Sequence, residues 1–140
     1  MARWQGLWDA SPKGRWTHQC IPDIRRWHDR EFGELTYYTA QMLTGHGDFQ
    51  TFLHRIGKSP SDTCLHCEEH PEDTVTHTIL ECRALEEQRR GLRFGTVPRL
   101  VEAMLESCEN WKSITLKVDS IMSRKRELGA ERARRLLSTT

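Results

Sequence analysis

A small, irregular, mainly α-helical domain stapled by a structural Cys3His metal site is the fold class the sequence predicts, and three observations carry it. Apolar residues recur at helical spacing through most of the chain, no strand-like alternation outscores them, and three of the five cysteines fall within nineteen residues beside a histidine. With 140 residues, 36% apolar and 29% charged, the chain amounts to one domain with a modest core. An odd cysteine count fits a closed disulfide framework poorly, so the clustering points to metal ligation in a reducing compartment.

The elements follow in order. Residues 1–32 read as irregular and Trp-rich, punctuated at Pro12, Gly14 and Pro22, with Trp4 and Trp8 spaced to share one face of a short helix. Leu35, Tyr38, Met42 and Leu43 predict a helix over 34–44, which Gly45 ends in a left-handed conformation. Asp48 reads as the N-cap of a second helix carrying Phe49, Phe52, Leu53 and Ile56, closed by Gly57. Residues 58–73 are a loop. A helix is expected over 74–90, interrupted near Cys82. Thr96 and Pro98 open another, with Leu100, Val101, Met104 and Leu105 facing a core. The last helix is expected over about 110–135, with Trp111, Ile114, Val118, Ile121 and Met122 on one side. By composition the chain divides into a Trp-rich stretch (1–60), a metal module (61–90) and C-terminal helices with a basic tail (91–140).

The net charge of +1 conceals an uneven distribution. Residues 1–60 carry 8 basic and 6 acidic side chains, residues 61–82 carry none and 6, and residues 83–140 carry 13 and 8. An acidic centre is thus flanked by basic ends. No stretch approaches the roughly 20 apolar residues of a membrane span, and the N-terminus lacks the apolar run of a signal peptide, so an intracellular location away from membranes is expected.

The most specific motif is Cys64-Leu-His-Cys67, nine intervening residues, then His77-x4-Cys82. A Cys-x-x-Cys turn presents two thiolates from one tight loop, and a second pair from a helical segment completes four ligands for a structural Zn2+. His77 and Cys82 lie about 500° apart on an ideal helix, so Cys82 is expected at or just past a helix end. His66 and His70 compete for the fourth position. His66 points out of the turn, whereas Cys67-x-x-His70 is sterically possible and stays open beside His77. Four protein ligands leave no position for water, which makes the metal structural.

Three thiolates and six surrounding carboxylates repel phosphate. Nucleic-acid contacts, if made, are therefore expected from the flanks: Lys13, Arg15, Arg25, Arg26 and Arg30 near the Trp rings, and Arg124, Lys125, Arg126, Arg132, Arg134 and Arg135 at the end. The simpler readings are a solvated helix end for the tail and a core role for the Trp residues. No Gly-rich phosphate loop, His-Glu-x-x-His helix or carboxylate pair in an apolar strand is present, so no catalytic site is expected. Cys20 and Cys108 read as partly buried thiols.

The ordered series Lys13-Gly-Arg-Trp-Thr-His, Ile21-Pro-Asp, Trp27, Leu43-Thr-Gly-His-Gly-Asp-Phe, Leu53-His-Arg-Ile-Gly, Cys64-x-x-Cys67 and His77-x4-Cys82 resembles the C-terminal region of non-LTR retrotransposon Pol-type polyproteins. It is most similar to the arthropod type-1 elements that insert into ribosomal RNA genes. The resemblance covers nearly the whole chain. It implies zinc ligation by Cys64, Cys67, His77 and Cys82, a position for residues 1–60 behind the polymerase thumb, and a nuclear setting in an active element. It also implies a parent polyprotein that is an RNA-directed DNA polymerase with an endonuclease, whose catalytic residues match nothing in this chain. The nine-residue gap departs from the shorter retroviral nucleocapsid motif, so RNA packaging is not implied. The resemblance leaves two roles: a non-catalytic module that positions RNA or DNA in target-primed reverse transcription, or a protein-interaction module docking on the upstream polymerase or a host factor.

Overall fold

The computed structural model describes residues 2–138 and turns the N-terminal stretch, expected to be irregular, into three short helices: α1 (Ala2–Ala10), α2 (Arg15–Cys20) and α3 (Ile24–His28). The Pro and Gly residues separate helices here rather than abolishing them. Gly14, at φ 66, precedes α2, and the Asp23 carboxylate accepts from the Arg25 and Arg26 amides to start α3. Tertiary hydrogen bonds then fix these helices, which are too short to persist alone. The Trp8 indole donates to the Ile21 carbonyl (2.7 Å), Trp16 to Met42 (2.8 Å), and the Thr17 hydroxyl to Leu43 (2.8 Å).

Helix α4 (Tyr37–Thr44) begins three residues later than expected, because Thr36 caps it by accepting from the Thr39 amide. Leu35 therefore lies outside the helix and is 48% exposed. Gly45 ends α4 at φ 72, as expected. Helix α5 (Gln50–Arg55) corrects the assignment of Asp48 as its cap. The Gln50 amide is taken instead by the carboxylate of Asp73, from beyond the metal loop, at 3.0 Å.

Downstream lie a π-helical turn (His77–Glu81), a 3-10 turn (Arg83–Leu85), and helices α6 (Glu86–Arg89), α7 (Val97–Met104) and α8 (Cys108–Ser138). Thr96 caps α7 through the Arg99 amide, and Pro98 occupies its first turn, as the sequence predicts. Helix α8 is the spine. Trp111, Ile114, Thr115, Val118, Ile121, Met122 and Lys125 are its buried residues, at the i, i+3, i+4 spacing of a helix with one covered face. Against that face pack Val97, Leu100, Val101 and Met104 of α7 and Met42 and Leu43 of α4, in a core that also holds Ile79 and Leu85. Beyond Lys125 the covered face gives way to mostly exposed residues. Among the described residues there is no strand beyond an isolated antiparallel bridge, Thr63 to Glu72, and no helix is long and apolar enough to cross a membrane.

Candidate metal centre

The loop before the π-turn is pinched shut by its own backbone. The Cys64 amide donates to the Pro71 carbonyl (2.7 Å) and the Asp73 amide to the Asp62 carbonyl (2.9 Å). Within it, the His66 amide points at the Cys64 sulfur (3.4 Å), and the His70 amide closes onto the Cys67 carbonyl (3.2 Å). His70 takes a left-handed φ of 49 and turns its ring to the Cys64 carbonyl, 3.1 Å from Nδ1. It is thereby spent on the loop, and His77 is the histidine that joins the cysteines.

The π-turn resolves the spacing problem posed by His77 and Cys82. The Cys82 amide bonds the His77 carbonyl at 2.6 Å, an i to i+5 bond that brings residues five apart back over one another. Cys82 itself, at φ −58 and ψ 121, ends the helical segment, as expected. Carbonyls near the break are taken by Arg89, whose guanidinium donates to Ile79 (2.8 Å) and Thr78 (3.1 Å).

Four donors converge. Sulfur separations are 4.0 Å for Cys64 to Cys82 and 3.6 Å for Cys67 to Cys82, the Cys67 sulfur lies 3.6 Å from His77 Nε2, and all four donors fall within 4.8 Å of one another. Zinc bonds of about 2.3 Å to sulfur and about 2.0 Å to nitrogen give a tetrahedron with edges of about 3.8 and 3.6 Å, so the donor set fits that ion. A disulfide needs its sulfurs at about 2.05 Å, and all five thiols are free. Behind His77, Glu81 Oε1 lies 3.9 Å from Nδ1, leaving Nε2 to face the sulfurs.

The paired thiols Cys64 and Cys82 are shifted in opposite directions. The Cys64 thiol is lowered to about 4, chiefly by the Cys82 thiol and then by the His66 amide, whereas Cys82 is pushed up by the same pairing with Cys64 and by burial. Burial also holds the His66 imidazole below its ordinary range. One thiolate is thus accommodated at the expense of its neighbour, and a divalent cation would relieve that competition.

The chain is similar to parts of several longer proteins. It is 40% identical over 86 residues to a Retrovirus-related Pol polyprotein from type-1 retrotransposable element R1 of Bradysia coprophila, covering 61% of this chain and 8% of that protein. It is 33% identical over 132 residues to a putative 115 kDa protein in type-1 retrotransposable element R1DM of Drosophila melanogaster, covering 89% and 12%. A third Pol polyprotein, R1 4 of Nasonia vitripennis, is 33% identical over 90 residues, covering 64% and 22%. Over most of its length the chain is similar to a Pol-like region of type-1 retrotransposable elements. It spans less than a quarter of the length of these relatives. No family model matches the chain, and no solved structure does.

The basic residues of the chain fall into two groups. Lys125 leaves the expected surface altogether: it is 3% exposed and ion-paired with Asp73 in the core. Arg30 stacks on Trp27, with its guanidinium carbon 3.9 Å from the ring centroid and 5.3 Å from that of Trp111, and it also bonds the Trp27 and Gly33 carbonyls. Arg15 bonds the Trp8 carbonyl at 2.6 Å, and Arg124 pairs with Glu127 and Glu131. Lys13, Arg25, Arg26, Arg134 and Arg135 are exposed, while Arg132 is half-buried. Arg126, also exposed, lies beside the Tyr38 phenol, which lifts its pKa. Sequence reasoning missed Arg89 and Glu81. Their only local signal is position, Glu81 four residues after His77 and Arg89 seven after Cys82.

Proposed function

We propose that this chain is a non-catalytic, zinc-stapled region of a retrotransposon reverse transcriptase polyprotein that positions nucleic acid during target-primed reverse transcription. The observation that carries it is the convergence of Cys64, Cys67, His77 and Cys82 at the edge lengths of a tetrahedral ion, with every position filled by protein. A closed Cys3His shell supplies a cross-link and no open coordination position, so Zn2+ here ties the loop to the π-turn. The flanking cations Lys13, Arg25, Arg26, Arg132, Arg134 and Arg135 lie outside the acidic stretch 61–82 in the sequence. The names of the relatives support placing the chain in a Pol polyprotein.

Two measurements test it. Elemental analysis of the purified chain should return one zinc per chain. Affinity for structured RNA or nicked DNA should fall linearly in log salt, with a slope of about 0.9 per duplex phosphate contacted. A chain that takes up no metal, or binds with no salt dependence, would defeat the reading.

A second reading, docking on the upstream polymerase, is favoured by Trp4 and Leu7, which α1 leaves 54% and 64% exposed. Capture of the polymerase domain that survives nuclease treatment, and that Leu7→Glu abolishes, would support it.

A further inference from the structure

Four of the five tryptophans are engaged within the fold, and Trp4 on α1 is the exposed one, at 54%. The Trp8, Trp16 and Trp111 indoles donate to main-chain carbonyls, and Trp27 is sandwiched with Arg30 and Trp111. Other exposed aromatic groups gather around a groove where α4, α5 and α8 meet, lined by Tyr37, Tyr38, Phe52, Ile56, Lys58 and Arg126. Tyr37 is 72% exposed and Ile56 46%. Tyr37 and Tyr38 stand edge to face at 5.3 Å, and the exposed His46 ring lies flat on Phe52, with centroids 4.7 Å apart at 18°. Tyr37 and Phe52 ride on the short helices α4 and α5, and His46 sits in the turn that joins them.

The charge at this groove is opposite to that of the metal loop. Lys58 and Arg126 line it, and the Arg55 guanidinium sits 5.5 Å from the Phe52 centroid, whereas Asp48 is the one carboxylate among the lining residues described. None of the three cations is ion-paired within the described residues. The groove shares no lining residue with the cleft beside Cys67, which Glu68, Glu69 and Glu81 make acidic.

We infer that this groove binds single-stranded nucleic acid, with Tyr37 and the His46–Phe52 stack taking unpaired bases and Arg55, Lys58 and Arg126 taking the phosphates. Flat aromatic faces beside unpaired cations are what a sequence-tolerant single-strand site requires, because every base has a face to stack and every linkage a charge to neutralise. Paired bases keep their faces covered, so a duplex uses the cations and forgoes the rings. The inference deepens the proposed function and rests on it, by naming the strandedness of the ligand and the surface that holds it.

The test uses the metal-loaded full chain with a dye-labelled oligothymidylate of about 12 nucleotides, a length suited to one such site, and a blunt hairpin duplex as comparator. Tyr37→Ala should weaken the single strand about 5- to 100-fold and move duplex affinity less than about twofold, and Tyr37→Phe should restore binding, since the ring and not the hydroxyl stacks. Lys58→Gln with Arg126→Gln should reduce the salt slope for the single strand by about 1.4, two contacts at about 0.7 each. Ultraviolet cross-links should map to Tyr37 or Tyr38. If these variants bind as the parent does while Arg25→Glu with Arg26→Glu abolishes binding, the groove is rejected and the nucleic-acid role stands. If the unaltered chain binds neither oligonucleotide, both fall. If the groove variants change only the sedimentation coefficient, the face joins copies of the chain and the inference is overturned.

Discussion

Lys125 Nζ lies 2.8 Å from Asp73 Oδ2, with the two side chains 3% and 1% exposed. The ammonium also donates to the Thr78 hydroxyl (2.8 Å) and the Asp48 carbonyl, and it sits 5.1 Å from the Phe49 ring centroid. Asp73 in turn caps α5 through the Gln50 amide and accepts from Thr78 at 2.9 Å. The exit of the metal loop, the start of the π-turn, α5 and the spine helix therefore meet at one ion pair. The acidic centre of the sequence is answered from a residue 52 positions away.

Removing one member of such a pair leaves the other charge buried and alone, at a cost of about 3–5 kcal/mol. Lys125→Met should therefore destabilise the metal-loaded chain by that amount in urea unfolding. Lys125→Met with Asp73→Asn should recover a sizeable part, because the stranded carboxylate is gone. A single-variant loss below about 1 kcal/mol would show that solvent reaches the pair and screens it.

The metal set yields a sharper contrast. With His77 facing the sulfurs and His70 holding the Cys64 carbonyl, cobalt substituted into His77→Ala should lose its tetrahedral visible spectrum. In His70→Ala that spectrum should persist with weaker metal affinity, since only the loop's support is lost. Equal spectra for the two variants would overturn the ligand assignment. Chelation should unfold at least the loop and π-turn, because binding and folding of such sites are linked at about 10–16 kcal/mol.

Helical spacing made the two C-terminal helices legible, and ligand spacing identified which side chains converge. The start of α4 was misplaced because Thr36 spends its hydroxyl on Thr39 and on Asp119 of α8, at 2.7 Å for the latter. Of the N-terminal helices, α1 was legible in the spacing of Trp4 and Trp8, whereas α2 and α3 run six and five residues and leave no periodic pattern to read. Nor was the pairing of Asp73 with Lys125 legible. Local composition shows an acidic loop and a basic tail, whereas pairing across 52 positions depends on how the chain packs. The π-turn was legible only as a constraint: two ligands five apart had to be reconciled, and the backbone did so with a wider turn.

Gly33 supports the Trp111 end of the spine helix. Its φ is 94, and a Cβ there would lie 2.5 Å from Trp111 Cε2 and 2.6 Å from Cδ2. The indole has no room to retreat, since it packs against Trp27 and Phe32 and donates to the Glu34 carbonyl. Gly33→Ala therefore combines a strained backbone with an overpacked core, and it should cost about 2–4 kcal/mol in thermal or urea unfolding. Trp111→Phe should relieve part of that loss in the double variant. A neutral Gly33→Ala would mean that residues 29–36 shift freely over α8.

Cys20 and Cys108 should differ in reactivity and in their effect on pH dependence. Cys108 is exposed, whereas Cys20 is 2% exposed and burial pushes its thiol up to about 12. Iodoacetamide at pH 8 should therefore label Cys108 first in the metal-loaded chain and spare Cys20. The same shift bears on stability. An unfolded chain releases the Cys20 proton near pH 8.5, while the folded chain keeps it, so folding loses about 1.4 kcal/mol per pH unit from this group between about 8.5 and 12. Stability measured at pH 8 and at pH 10 should thus fall by about 2 kcal/mol more in the parent than in Cys20→Ala. Parallel losses in the two proteins would show that the Cys20 thiol ionises in the folded state as readily as in the unfolded one.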